Sequence, residues 1–301
     1  MTITAEQLKE AWRARNQSLT VSDYISQIRR VDGAYGPFCI IQFRNVRVGT
    51  NQEPLGSSGS LSIYSRTRLR TPYHVSLRPA DELQSRHDKQ LPAWYWNLSP
   101  QSLEDAIKFA CSTGFVVTFS TIKSGASVPL RQHFQSVPRT IDWDGSQYEL
   151  FGPLLHSKVR LSRLDTLEPG VSVQEYPVFV AKVTGSQQAV CEKVLRLSLG
   201  YDHLKTFNLI ISSPKSRKER SEDEVDVFFL PRRFDGHVVP RQYEQSRWAF
   251  GSFEMAGAFL TSDEQICERT SYSELVAALQ DVSIERQSPE ERLIENLLFY
   301  V

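Results

Sequence analysis

Lys123-Ser-Gly-Ala-Ser-Val-Pro-Leu-Arg-Gln-His-Phe-Gln135 sets two kinds of chemistry side by side. Ser124, Gly125, Ala126 and Ser127 are small, and such a loop lets backbone N–H groups and hydroxyls come close to a phosphate. Arg131, His133 and Gln135 are spaced by two. On a strand they share one face, while Gln132 and Phe134 point the other way. A guanidinium, an imidazole and a carboxamide then converge beside the small-residue loop. That set suits in-line attack by imidazole on a phosphoryl group, with Arg131 and Gln135 holding phosphate oxygens. Lys123 is a further candidate for a phosphate contact.

Working outward, the segment before the loop reads as a helix and a strand. Ser99 is an N-cap, Pro100 suits the first helical position, and Gly114 ends the helix SPQSLEDAIKFACSTG. FVVTFST then has the aromatic and β-branched content of a strand, and LRQHFQSV returns as another. The order helix, strand, loop, strand at 99–137 recurs at 186–231, with SQQAVCEKVLRLSLGYD as helix and FNLIIS and VDVFFLP as strands. The chain therefore reads as two pseudo-repeated halves. Further strands are expected at 38–43, in SLSIYSRTRL, at 73–77, in YELFGPLL and in VQEYPVFVAKV. Helices are expected at 5–16, 21–30, in SYSELVAALQDVS and in SPEERLIENLLFYV. Residues 50–59 read as a turn-rich loop and 212–224 as a solvated charged loop. Helices interrupt groups of strands without a regular βαβ repeat, so the fold class is α+β with mainly antiparallel sheet.

Composition narrows the partners. The 301 residues carry 35 basic and 35 acidic side chains, and 40% are hydrophobic. A balance of zero excludes a protein whose affinity comes from blanketing a nucleic-acid backbone. The four cysteines, Cys39, Cys111, Cys191 and Cys267, form no C-x-x-C pair, which points to free thiols in a reducing compartment. No apolar run approaches the roughly 18 residues of a membrane helix. A cytoplasmic protein with no membrane and no nucleic-acid partner is the expectation. The sequence demands no metal, and Mg²⁺ on substrate phosphates is compatible with it.

At residues 123–135 the chain resembles the histidine-triad superfamily, in its transferase branch with the form His-x-His-x-Gln. The likeness is to diadenosine tetraphosphate phosphorylases and to GDP-L-galactose or GDP-glucose phosphorylases, and through them to the galactose-1-phosphate uridylyltransferase-like fold. Arg70-Thr-Pro-Tyr-His-Val-Ser-Leu77 is similar to the strand that precedes the catalytic segment, which makes His74 a candidate. Glu175-Tyr-Pro-Val-Phe-Val180 is similar to a Tyr-Pro strand. Val227-Phe-Phe-Leu-Pro-Arg-Arg233 with Trp248-Ala-Phe-Gly-Ser-Phe-Glu-Met-Ala-Gly257 is similar to the C-terminal region, bringing in Arg232 and Glu254. These pieces run in order over about residues 60–260 of one histidine-triad-like domain, with 1–35 as a helical extension and 270–301 as C-terminal helices.

The resemblance implies a nucleotidyltransferase or phosphorylase acting on a nucleoside-diphosphate sugar or a dinucleoside polyphosphate. His133 would be the nucleophile, forming a covalent nucleotidyl-histidine that phosphate discharges. Gln135 would hold a phosphate oxygen, and Ser124, Gly125 and Ser127 would line the phosphate site. It also implies a homodimer made by pairing sheets. Two departures stand out. Arg131 replaces the first histidine, and Ser127 to His133 spans one residue more than the family pattern. An extra residue flips later side chains to the other face unless a bulge absorbs it. A divergent enzyme with a changed reaction, or a catalytically silent nucleotide-binding protein, are the alternative readings.

Overall fold

The computed structural model describes residues 3–15, 24–44, 54–65, 75–79, 98–121, 124, 134–160, 169–200, 206–213, 224–232 and 250–283. Helix α1 (Ala5–Arg15) opens the chain, and Thr4 Oγ1 accepts from Gln7 N at 3.3 Å at its start. Strands β1 (Ile25–Val31) and β2 (Phe38–Phe43) form an antiparallel pair. The hairpin β3 (Pro54–Ser58) and β4 (Leu61–Ser65) comes next, then β5 (Val75–Pro79). Helix α2 (Pro100–Thr113) leads into β6 (Val116–Ser120) and β7 (Phe134–Val137). A small hairpin, β8 (Thr140–Trp143) and β9 (Ser146–Glu149), precedes the short helix α3 (Gly152–Leu155). Then follow β10 (Val171–Val173), β11 (Ala181–Ser186), α4 (Gln187–Gly200), β12 (Phe207–Ser212) and β13 (Glu224–Pro231). The described chain ends with α5 (Ser252–Met255), β14 (Ala258–Thr261), α6 (Glu264–Arg269) and α7 (Tyr272–Asp281).

Nine strands make one antiparallel sheet in the order β10-β11-β13-β12-β6-β7-β5-β4-β3. β1, β2 and β14 make a second sheet, in which β14 runs parallel to β2. The expected α+β class with mainly antiparallel sheet holds.

Alternation along the strands divides the core in two. Val117, Phe119, Phe134, Leu209, Ile211 and Phe229 belong to an apolar cluster that includes Leu103, Ile107, Val190 and Val194 of α2 and α4. The opposite face supplies Val116, Val137, Ile210, Phe228 and Leu230 to a second cluster with Phe38, Ile40, Phe259 and Leu279. The helices thus cover one face of the nine-stranded sheet, and the smaller sheet packs on part of the other.

Local chemistry explains most elements. Ser99 Oγ accepts from Ser102 N at 3.1 Å, and Gly114 closes α2 in the left-handed region at φ 68°. Ser271 caps α7 in a reciprocal box with Glu274.

Several expectations are corrected. Residues 25–31 are a strand, so the 1–35 segment is not helical throughout. Ile25, Ile28 and Val31 have helix-like spacing, but a register shift between Ile25 and Gln27 is what lets a strand bury both isoleucines. Residues 54–58 lie in a hairpin, where the expectation was loop. YELFGPLL ends as the short helix α3. The VQEYPVFVAKV strand is interrupted between Val173 and Ala181, around Pro177, which has no N–H to give a ladder. The helix expected at 288–301 and the charged loop at 214–223 lie outside the described residues.

Candidate functional site

β6 and β7 bracket the 123–135 segment, and their register fixes the surroundings of its two described candidates, Ser124 and Gln135. Gln135 lies opposite Thr118 on β6 and opposite Ser76 on β5. One pleat further along β6, Ser120 lies opposite Asn208 on β12. Ser76, Gln135, Thr118, Ser120 and Asn208 therefore share one face. Tyr64 and Arg78 extend it, with the Arg78 guanidinium 5.0 Å from the Tyr64 ring centroid. The other face of β5, β6, β7 and β12 is apolar apart from Ser136. Such a polar surface on central strands is costly to bury unless its groups are used.

Asn208 is the hub. Its Nδ2 donates to Ser120 Oγ at 2.8 Å and Ser124 O at 3.0 Å, and lies 3.3 Å from the hydroxyls of Ser124 and Ser252. Its Oδ1 accepts from Arg232 at 3.1 Å. Ser252 Oγ donates to Phe119 O at 3.0 Å and contacts Ser120 Oγ closely. Arg232 donates through Nε to Val282 O at 3.1 Å and through a terminal nitrogen to Ser124 O at 3.2 Å. This knot ties β6, β12, β13, α5 and the end of α7 to the turn at Thr121–Ser124, immediately before the small-residue loop.

Two expectations change here. Ser124 is fully buried, and its hydroxyl bonds Thr121 O at 2.9 Å and Phe207 O at 2.8 Å while accepting from Thr121 Oγ1 at 3.0 Å. It anchors the turn instead of facing a phosphate. Arg232 is buried and donates to backbone carbonyls and to Asn208, which makes it a support of the turn. Glu254 is buried and accepts from Gly251 N at 2.8 Å, capping α5 beside Ser252. The structure thus gathers Ser124, Arg232 and the helix of Glu254 around Asn208, with Gln135 on the neighbouring row. Lys123, Gly125, Ala126, Ser127, Arg131, His133 and His74 lie outside the described residues. β7 pairs with β5 and β6 without a register shift from Phe134 onward, so the one-residue insertion is not absorbed within β7.

The sequence reading passed over Asn208, Ser120 and Ser252. A signal exists for Asn208: FNLIIS is apolar except for that asparagine and its last serine.

A separate cleft of about 880 Å³ opens beyond the Val137 end of β7, between the β1–β2 turn, β9 and α3. On its wall Glu149 joins Arg139 at 2.6 Å and His156 at 2.9 Å. Arg30 at this cleft pairs with Asp32 at 2.9 Å, and Lys158 and Glu175 both line it. Among the described residues no group of three His, Cys, Asp or Glu side chains could hold a metal ion. No helix among them is long and apolar enough to cross a membrane.

The overall fold of the chain is shared with solved structures. The chain is similar to the crystal structure of yeast Ap4A phosphorylase Apa2, with TM-score 0.57 and 14% identity over 97% of this chain and 99% of that one. The same protein in complex with AMP gives TM-score 0.57 and 14% identity over 96% and 100%. Its complex with Ap4A gives TM-score 0.56 and 13% identity over 96% and 100%. At this identity the likeness establishes a common fold along nearly the whole chain. No protein-family model matches the chain, and no curated protein is similar enough to match.

Proposed function

We propose that the chain is a nucleotidyltransferase or phosphorylase that works through His133. The observation that carries this reading is the pairing of Gln135 with a polar row on β5 and β6, one pleat from the turn that Asn208 and Arg232 anchor. Ser124 is thereby a fixed point on one side of residues 125–133, and Phe134 begins a regular strand on the other. The spacing by two in the sequence is the ground for reading His133 together with Gln135. A nucleophile needs that fixed geometry, because a displacement of about 1 Å costs orders of magnitude in rate.

In the first step an imidazole nitrogen of His133 attacks the α-phosphorus. The N–P bond forms, the P–O bond to the leaving phosphate chain breaks, and that oxygen keeps the electron pair. In the second step an oxygen of inorganic phosphate attacks the same phosphorus and the imidazole leaves. Gln135 and the backbone amides of the 125–127 loop stabilise charge on the transferred group. Arg131 holds phosphate oxygens without shuttling a proton, and any Mg²⁺ arrives on the substrate phosphates. Between the two substrate classes, the likeness in fold to a protein crystallised with AMP and with Ap4A favours a dinucleoside polyphosphate over a nucleoside-diphosphate sugar. The two helix–strand–strand units, α2-β6-β7 and α4-β12-β13, meet at the β6–β12 pair, which suits a repeated half of this architecture.

Intact mass of wild type and His133→Ala, incubated with Ap4A or a panel of nucleoside-diphosphate sugars, tests the proposal. A nucleotidyl adduct on wild type only, discharged by phosphate, is expected. Binding without an adduct on either protein would move the chain to the silent nucleotide-binding reading.

A further inference from the structure

The row Ser76, Gln135, Thr118 holds a feature the steps above do not use. Ser76 and Thr118 lie directly opposite Gln135, one on each side. Residues so placed have Cβ atoms about 4.5–5.5 Å apart. Both are fully buried, and neither hydroxyl has a hydrogen-bond partner. Buried hydroxyls nearby are met: Ser136 Oγ on β7 donates to Val75 O at 3.3 Å, and Ser124 and Thr121 in the turn after β6 bond Phe207 O. A buried hydroxyl without a partner is unfavourable, and Ala or Val would fill either position at lower cost. Two of them flanking one carboxamide call for an explanation at that carboxamide.

A carboxamide has two unlike ends: the nitrogen donates and the oxygen accepts. Phosphoryl oxygens accept, so Gln135 serves a phosphoryl group only through Nε2. Its Oε1 then needs donors, and the two hydroxyls beside it are donors. We infer that Thr118 and Ser76 are positioning residues: with a phosphoryl group bound, they donate to Gln135 Oε1 and hold Nε2 toward the phosphoryl oxygens. The inference rests on the proposed reaction and names what orients Gln135 within it.

The test compares wild type, Thr118→Val, Thr118→Ser and Ser76→Ala by thermal midpoint and by the single-turnover rate of adduct formation with Ap4A. Thr118→Val removes an unmet hydroxyl at nearly constant volume. Its midpoint should stay or rise by about 2 °C, while its rate falls about tenfold. Thr118→Ser should recover the rate to within about twofold of wild type, since the hydroxyl is restored. Ser76→Ala should lose rate without losing midpoint. A wild-type rate in Thr118→Val, or a midpoint that drops with the rate and no recovery in Thr118→Ser, overturns the inference and leaves the reaction standing. No adduct on wild type overturns the reaction and the inference with it.

Discussion

Asn208 carries more of the site than its single side chain suggests. Its amide meets the carbonyl of Ser124, three serine hydroxyls and Arg232 at once, with no solvent to replace it. Asn208→Leu leaves Ser124 O to Arg232 alone and takes one of the buried acceptors of Arg232 away, which should cost about 3 kcal/mol. Urea unfolding of the variant measures this, and a loss below about 1 kcal/mol would mean the knot is not buried as described. The thiols give a second prediction. Burial pushes Cys39 and Cys267 from 9.0 up to about 11. Between those values the unfolded chain releases protons that the folded chain keeps, so stability falls as pH rises. The stabilisation is complete below pH 9 and lost toward pH 11. Thermal melts across that range should slope downward more steeply in wild type than in Cys39→Ala/Cys267→Ala. Equal slopes would remove the thiols from the account.

Helix α2 is specified by its own residues. Ser99→Ala removes the bond to Ser102 N and should cost about 1 kcal/mol, read as a lower urea midpoint with an unchanged slope. Elements of this kind were legible in the sequence because Ser99, Pro100 and Gly114 act within one or two turns of themselves. β1 was not, because its apolar residues keep a helical spacing that only the bulge near Gln27 reconciles with a sheet. The β8–β9 hairpin turns at Asp144-Gly145, both at positive φ, a local signal the reading of YELFGPLL as strand did not use. The site divides the same way. The spacing to Gln135 and the small residues from Ser124 are contiguous and were visible. The role of Arg232 depends on Ser124, 108 residues away in the chain, and no local pattern carries that distance.

At the scale of the molecule, one sheet serves two cores. Phe119 and Leu209 bury one face under α2 and α4, while Val116 and Ile210 of the same strands bury the other against Phe38 and Phe259. Neither core can lose its packing without exposing the shared strands, so both should fail together. Phe119→Ala in the first core and Phe38→Ala in the second should each cost about 3–5 kcal/mol. Circular dichroism follows the backbone of the whole chain, and tryptophan fluorescence follows side-chain packing such as that of Trp12 on Tyr24 and Trp143 on Tyr148. In both variants the two signals should shift to lower denaturant by the same amount and remain coincident. Signals that part in one variant and not the other would divide the chain into two units that fold apart.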